Sequence, residues 1–326
     1  MAAKENHVSS SNVMTSPLAF PRRSLPALFL VAAIILAFLG CYYLSLQTKT
    51  PSSGHPANLE KPRHSQRIIA LAPSIVEIIY QLNLSDQLVG VSRFCNHPPE
   101  AKNKPVVGGY LNLDFEAVLN LQPDCIILLK EQKPVATKLA SMGIRTITVD
   151  HSSTDSITRS ISTLGKAFLK ETEAQTVVNN IHRRTQQITR NLTNTIDKPR
   201  VLVCIDRDTS AKHPQRVFIA GNKGVHQEYI RMAGAVNAYQ GPMAYPMLSR
   251  EKLIHLNPDI IIELVQEKVW NEKGQLGLMQ QWQTFNELSA VKNNQIVFLH
   301  EPSHMIPGPR WVDTLETFHH IIQQTR

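Results

Sequence analysis

The chain has 326 residues, of which 42% are hydrophobic, 18% charged and 6% aromatic. That composition excludes a collagen, a coiled coil or a disordered acidic chain, and it leaves enough apolar mass for one large core or two of domain size. The formal charge of +8 divides into +3 over the first 50 residues and +5 over the rest; no long Lys/Arg block occurs in the latter, so nothing points to a nucleic-acid partner.

Residues 25–46 (LPALFLVAAIILAFLGCYYLSL) carry no charge over 22 positions, a helix of about 33 Å that suffices to span a hydrocarbon core. Arg22 and Arg23 precede this stretch and no basic cluster closely follows it, which places residues 1–24 in the cytoplasm and the rest outside. The segment either stays as a signal anchor or is cut before Cys41, after the lipobox-like Phe38-Leu39-Gly40, and lipidated there. Both fates export the body. Residues 47–65 are polar and Pro-containing and read as a tether.

The body repeats one plan. In DFEAVLNLQPDCII, Glu116 stands seven residues before Pro123, and in SREKLIHLNPDIII, Glu251 stands seven before Pro258. Tyr110 and Tyr245 each precede their glutamate by six, and the two blocks are offset by 135 residues. Each block reads as a short helix, a Leu-x-Pro-Asp stop and a continuous apolar strand, with Asp114 and Ser249 as N-caps. Further strands are expected over 67–71, 88–91, 146–149, 201–205, 217–220 and 296–299. Further helices are expected over 75–82, 133–142, 225–233 and 309–323. This alternation predicts an α/β fold of two homologous lobes with mostly parallel sheets, an N-terminal lobe over 66–152 and a C-terminal lobe over 198–326. Between them, residues 153–197 show helical periodicity only, with helices over 153–169 and 171–194. The second, about 36 Å long, predicts a stiff connection and small lobe motions.

RIIALAPSIVEIIYQLNLSDQLVGVS, NHPPEAKNKPVVGGYLNLDFEAVLNLQPDCIIL, the long helix, YPMLSREKLIHLNPDIII and PGPRWVDTLE together resemble the substrate-binding proteins of ABC importers for iron complexes and cobalamin, over residues 66–326. The resemblance implies a non-enzymatic protein without a cofactor of its own. Such a protein binds cobalamin or a ferric siderophore, with haem as the alternative, and delivers it to an ABC permease dimer. It implies that Glu116 and Glu251 dock with permease arginines and that Phe94, Tyr110 and Tyr245 line the ligand cleft.

Cys95 and His97, in the loop RFCNHPP, are donor types suited to a metal centre in the ligand or else a turn with a buried thiol. Arg207 and Arg250 either meet anionic groups or sit as surface charges. His300-Glu301-Pro302-Ser303-His304 matches H-E-x-x-H, but that chemistry needs both histidines on one helical face, and Pro302 falls inside the helix it requires. The motif reads as a loop bordering the cleft, with His300, His304 or Met305 toward the ligand. Cys125 and Cys204 fall in different lobes and read as buried thiols. Rivals from other classes are a zinc hydrolase at His300/His304 or a two-lobed chelatase, and a sensory or structural module.

Overall fold

The computed structural model describes residues 66–324, apart from 191, 193–196 and 212–213. The expected membrane segment and Cys41 lie outside those residues; among the described residues no helix is long and apolar enough to cross a membrane.

The first lobe is a sheet of β1 (Ile68–Ala70), β2 (Leu88–Val91), β3 (Cys125–Leu129) and β4 (Thr146–Val149), in the order β2-β1-β3-β4 with every pairing parallel. It is covered by α1 (Pro73–Gln81), α2 (Phe115–Asn120) and α3 (Lys133–Ser141). Residues of β1 and β3 on both faces are wholly buried, which is why these strands read as unbroken apolar runs rather than alternating ones.

Two helices follow, α4 (Thr154–Ala167) and α5 (Glu171–Arg190). They pack side by side. The second lobe contains β5 (Arg200–Arg207), β6 (Arg216–Ile219), α6 (Val225–Met232), β7 (Val236–Asn237), β8 (Met247–Ser249) and α7 (Arg250–Leu256). The chain continues through β9 (Ile260–Leu264), α8 (Glu267–Trp282), α9 (Ser289–Lys292), β10 (Ile296–Leu299), α10 (Pro302–Met305) and α11 (Trp311–Gln324).

Here β7, β5, β9 and β10 lie side by side and parallel, the order of the first lobe again. The lobes differ at one edge. The eight-residue β5 pairs through Arg200 and Val201 with β7, and through Cys204 to Arg207 with antiparallel β6, which in turn pairs antiparallel with β8. The second sheet thus keeps the expected parallel core and adds an antiparallel β6 at one edge.

The repeated Leu-x-Pro-Asp holds the start of the first strand in both lobes. Asp124 accepts the backbone N–H of Arg67 at 2.8 Å, and Asp259 that of Arg200 at 2.7 Å. Each arginine returns a side-chain bond to the turn, Arg67 Nε to the Leu121 carbonyl and Arg200 Nη1 to the Asn257 carbonyl. The residue before each proline takes a left-handed conformation, Gln122 with φ 44° and Asn257 with φ 41°. The motif thus closes a helix and clamps the head of the lobe's first strand. Asp114 caps α2 and Ser249 caps α7, as their positions predict.

The lobes are tied by charged bonds. Arg310, just before α11, donates to both carboxylate oxygens of Glu77 on α1, at 2.6 and 3.0 Å. Arg184 of α5 meets Glu316 and Asp313 of α11. Glu228 of α6 accepts from the backbone and hydroxyl of Thr154 at the start of α4.

Candidate functional site

The carboxyl ends of β1, β3 and β4 run into one cleft, where ligands bind in open α/β sheets. It has a volume of about 680 Å³ and a largely apolar lining, in the range of small-molecule sites. From the first lobe come Ser74, Tyr110, Leu129, Glu131 and His151; from the second, Lys223, Gly224, Tyr245 and the segment Met305, Ile306 and Pro307.

The tyrosines of the repeat face this cleft from opposite lobes, 41% and 52% exposed for Tyr110 and Tyr245. Burial and then the nearby Glu131 carboxylate push both phenols above their ordinary pKa, so both stay protonated and offer a hydroxyl beside a ring face.

Each tyrosine loop is held by a buried carboxamide that the sequence reading missed. Gln132, wholly buried, donates to the carbonyls of Leu71 at 3.2 Å and Tyr110 at 2.6 Å, and accepts from Leu129 N–H. Asn237 donates to the carbonyls of Ala220 and Gly221, and Gly221 N–H donates to the Ala244 carbonyl at 2.7 Å. A Cβ at Gly221 would stand 2.0 Å from the Met243 carbonyl oxygen, so this approach requires glycine.

Beside the cleft lies a chamber of about 260 Å³ that shares Pro73 and Ile306 with it. Phe94 and His97 line the chamber with Glu267, Glu301 and Arg310. Phe94 is 70% exposed and holds φ at 74°, a costly conformation for a bulky residue that is kept where a side chain must be displayed.

The remaining predicted contacts stand elsewhere. Cys95 is buried against the Ser92 hydroxyl, and burial pushes its thiol up to about 11. His304 is buried with Nδ1 on the Thr314 hydroxyl at 3.2 Å. Neither lines the cleft or the chamber, whereas Met305 lines the cleft. Arg207 is no surface charge: its side chain is fully buried and paired with Glu263 at 2.7 Å. Arg250 stacks on Phe285 and donates to the Thr284 carbonyl.

Pro302 opens α10 at a first-turn position suited to proline. His300 therefore falls before the helix, stacked on Trp270 at 4.1 Å, while His304 lies within it. The two histidines of H-E-x-x-H have different partners, and among the described residues no group of three or more His, Cys, Asp or Glu could hold a metal ion. Glu116 and Glu251 are exposed in the first turns of α2 and α7.

His151 and His226 are buried, and burial pushes both imidazoles down to about 4 from an ordinary 6.5. Between those values the unfolded chain binds protons that the folded protein does not. Stability therefore falls as pH drops from about 6.5 to about 4, by up to about 3 kcal/mol per ring. Urea unfolding at pH 7 and pH 4.5 is expected to show this loss, smaller in His226→Gln; an equal loss in the variant would count against His226 as a source.

A family model described as periplasmic binding protein matches residues 68–302. A vitamin B12-binding protein of Vibrio cholerae serotype O1 is 25% identical over 299 residues, 87% of this chain and 95% of that protein. A periplasmic haem-binding protein solved with two haems shares the fold with a TM-score of 0.70 at 23% identity, over 80% of this chain and 98% of that one. The solved periplasmic vitamin B12 binding protein of Vibrio cholerae gives 0.67 at 24% identity, over 80% and 97%. By its two α/β lobes and the match across both of them, the chain belongs to the periplasmic binding protein family, whose members bind rather than catalyse.

Proposed function

We propose that the chain is the exported, membrane-tethered binding component of an ABC importer, which captures a metal chelate between its lobes and delivers it to a permease dimer. The observation that carries this reading is the largely apolar cleft of about 680 Å³ with a tyrosine from each lobe on its wall. A broad planar ligand buries its faces on such rings while its edge meets hydroxyls and charges. Relatives named for vitamin B12 and a solved relative holding two haems support cobalamin as the ligand, with haem as the second reading and a ferric siderophore as the third.

Tyr110 and Tyr245 are the principal contacts, with Phe94 and His97 in the adjoining chamber and Cys95 and His304 behind the walls. Glu116 and Glu251 are the permease contacts. Residues 25–46 are the tether, as an anchor or through lipid on Cys41.

Calorimetric titration with cyanocobalamin, haemin and a ferric siderophore tests the reading, which expects one-to-one micromolar or tighter binding of one of them. Tyr110→Ala and Tyr245→Ala are each expected to weaken that binding about 10- to 100-fold, from the loss of about 1.5–3 kcal/mol of apolar contact. Binding of none of the three would end the proposal, and unchanged affinity in both variants would remove the tyrosines from it.

A further inference from the structure

One charge of the cleft has no counter-charge bound to it. Glu131 lines the cleft from the single turn Lys130–Gln132, which follows β3. It is exposed and enters none of the ion pairs formed among the described residues. Lys130 beside it does not neutralise it, since that ammonium is held by Asp150 at 2.8 Å and by the Ser152 hydroxyl at 3.0 Å. The turn itself is fixed, because Gln132 is wholly buried and bonded to Leu71, Tyr110 and Leu129. The carboxylate therefore has a set place at the carboxyl end of β3, near enough to both cleft tyrosines for its charge to raise their phenols.

Lys223 lines the cleft from the other lobe and is exposed. Among the described residues these two are the only charged members of the lining. His151, whose imidazole burial pushes down to about 4, adds no charge at neutral pH. A ligand that fills the cleft displaces water from both charges. A carboxylate so dried is costly unless the ligand gives it hydrogen bonds, and N–H donors to a charged acceptor make the stronger kind. An anionic group at the same place meets a like charge, in surroundings where water no longer screens it. A single lysine can offset one anionic group of the ligand and no more.

We propose that Glu131 selects the ligand by the charge of its rim, accepting N–H groups from carboxamides and repelling carboxylates. This rests on the functional reading above and narrows it. The ligand is a chelate rimmed by amides, with at most one anionic group, which Lys223 meets. An intact corrinoid has that rim. A ferric porphyrin with a pair of free carboxylates does not, and neither does a tricatecholate ferric siderophore.

The whole chain, purified in detergent, is titrated by calorimetry with matched ligands that differ in rim charge. One set is cyanocobalamin and each of the monocarboxylic acids made by hydrolysing one of its amides; the other is haemin and its bis-amide. In whichever set binds, the amide form is expected to bind wild type about tenfold or more tighter than at least one acid form. Glu131→Gln is expected to narrow that gap and Glu131→Lys to reverse it. A role in folding alone would instead weaken both forms equally and leave the gap as it was. Equal affinity of all forms for wild type, or a gap that persists in both variants, overturns the assignment of Glu131 alone. Because the wild-type comparison can already overturn it, misfolding of a variant does not protect the proposal. Binding of neither macrocycle in any form also overturns the role of Glu131, and the functional reading then stands or falls with the ferric siderophore in the titration above.

Discussion

Arg207→Ala is expected to destabilise the protein by about 3–5 kcal/mol, the cost of removing one partner from a buried ion pair. The guanidinium donates through Nε to Glu263 Oε1 and through Nη1 to Gln281 Oε1, both at 2.7 Å, and lies over the Trp282 ring. Trp282 Nε1 donates to the other Glu263 oxygen at 2.5 Å. Even with these partners, burial holds the Glu263 carboxyl above its ordinary pKa. Without Arg207 that carboxyl either ionises unpaired or takes a proton, so the deficit is expected to be larger at pH 8 than at pH 5. Urea unfolding at both values measures it. An Arg207→Met/Glu263→Leu double variant removes both charges and is expected to recover much of the loss, since a buried pair and a well-packed apolar replacement are often close in stability. A loss under about 1 kcal/mol for Arg207→Ala, with no dependence on pH, would mean that water reaches the pair.

Glu116→Lys with Glu251→Lys is expected to abolish uptake while leaving ligand affinity unchanged. Both carboxylates are exposed and neither lines the cleft. Asp114 accepts from the backbone N–H groups of Glu116 and Ala117, and Ser249 from that of Lys252. The helix starts therefore do not depend on the glutamates, and exposed charges contribute little to folding. On the proposed docking with arginines of a twofold permease, reversal would place like charges together at both contacts, at a cost of several kcal/mol for docking. Either single reversal keeps one attractive contact and is expected to reduce uptake less than the pair. Transport in proteoliposomes, alongside calorimetry of ligand binding, separates the two properties. Normal uptake by the double variant would exclude these residues from docking, and lost affinity would place them in the binding fold instead.

The repeat made the fold legible in the sequence. Tyr, Glu, Leu-x-Pro-Asp and an apolar run in the same register marked two lobes, and β3 and β9 fall where those runs do. The antiparallel β6 and β8 had no such counterpart, because the first lobe has no matching edge. The α8 helix escaped because its apolar residues do not gather on one face and Gly274 interrupts it at φ 62°, ψ 177°. Tyr110 and Tyr245 were legible as repeat members, whereas Gln132, Asn237 and His151 were not. Nothing local distinguishes a buried amide or imidazole from an exposed one; their partners, Leu71, Ala220 and Ser74, are between 17 and 77 positions away in the chain. The burial of Arg207 was not legible for the same reason, since its partner Glu263 lies 56 residues on, inside an apolar strand.

The bond between Glu77 and Arg310 spans 233 positions of sequence and joins the first helix of the body to the segment before its last. As the chain emerges N-terminus first, the four strands of the first sheet are all present once residue 149 is out. Glu77, only 3% exposed in the finished protein, then has no counter-charge, and α1 lacks the Gly308 turn that packs on Ser74. A carboxylate cannot be buried unpaired without large cost, so Glu77 reaches its buried, paired setting only once Arg310 is in place. The pair therefore couples α1 to the segment before α11, so that parting the two exposes a charge on each side.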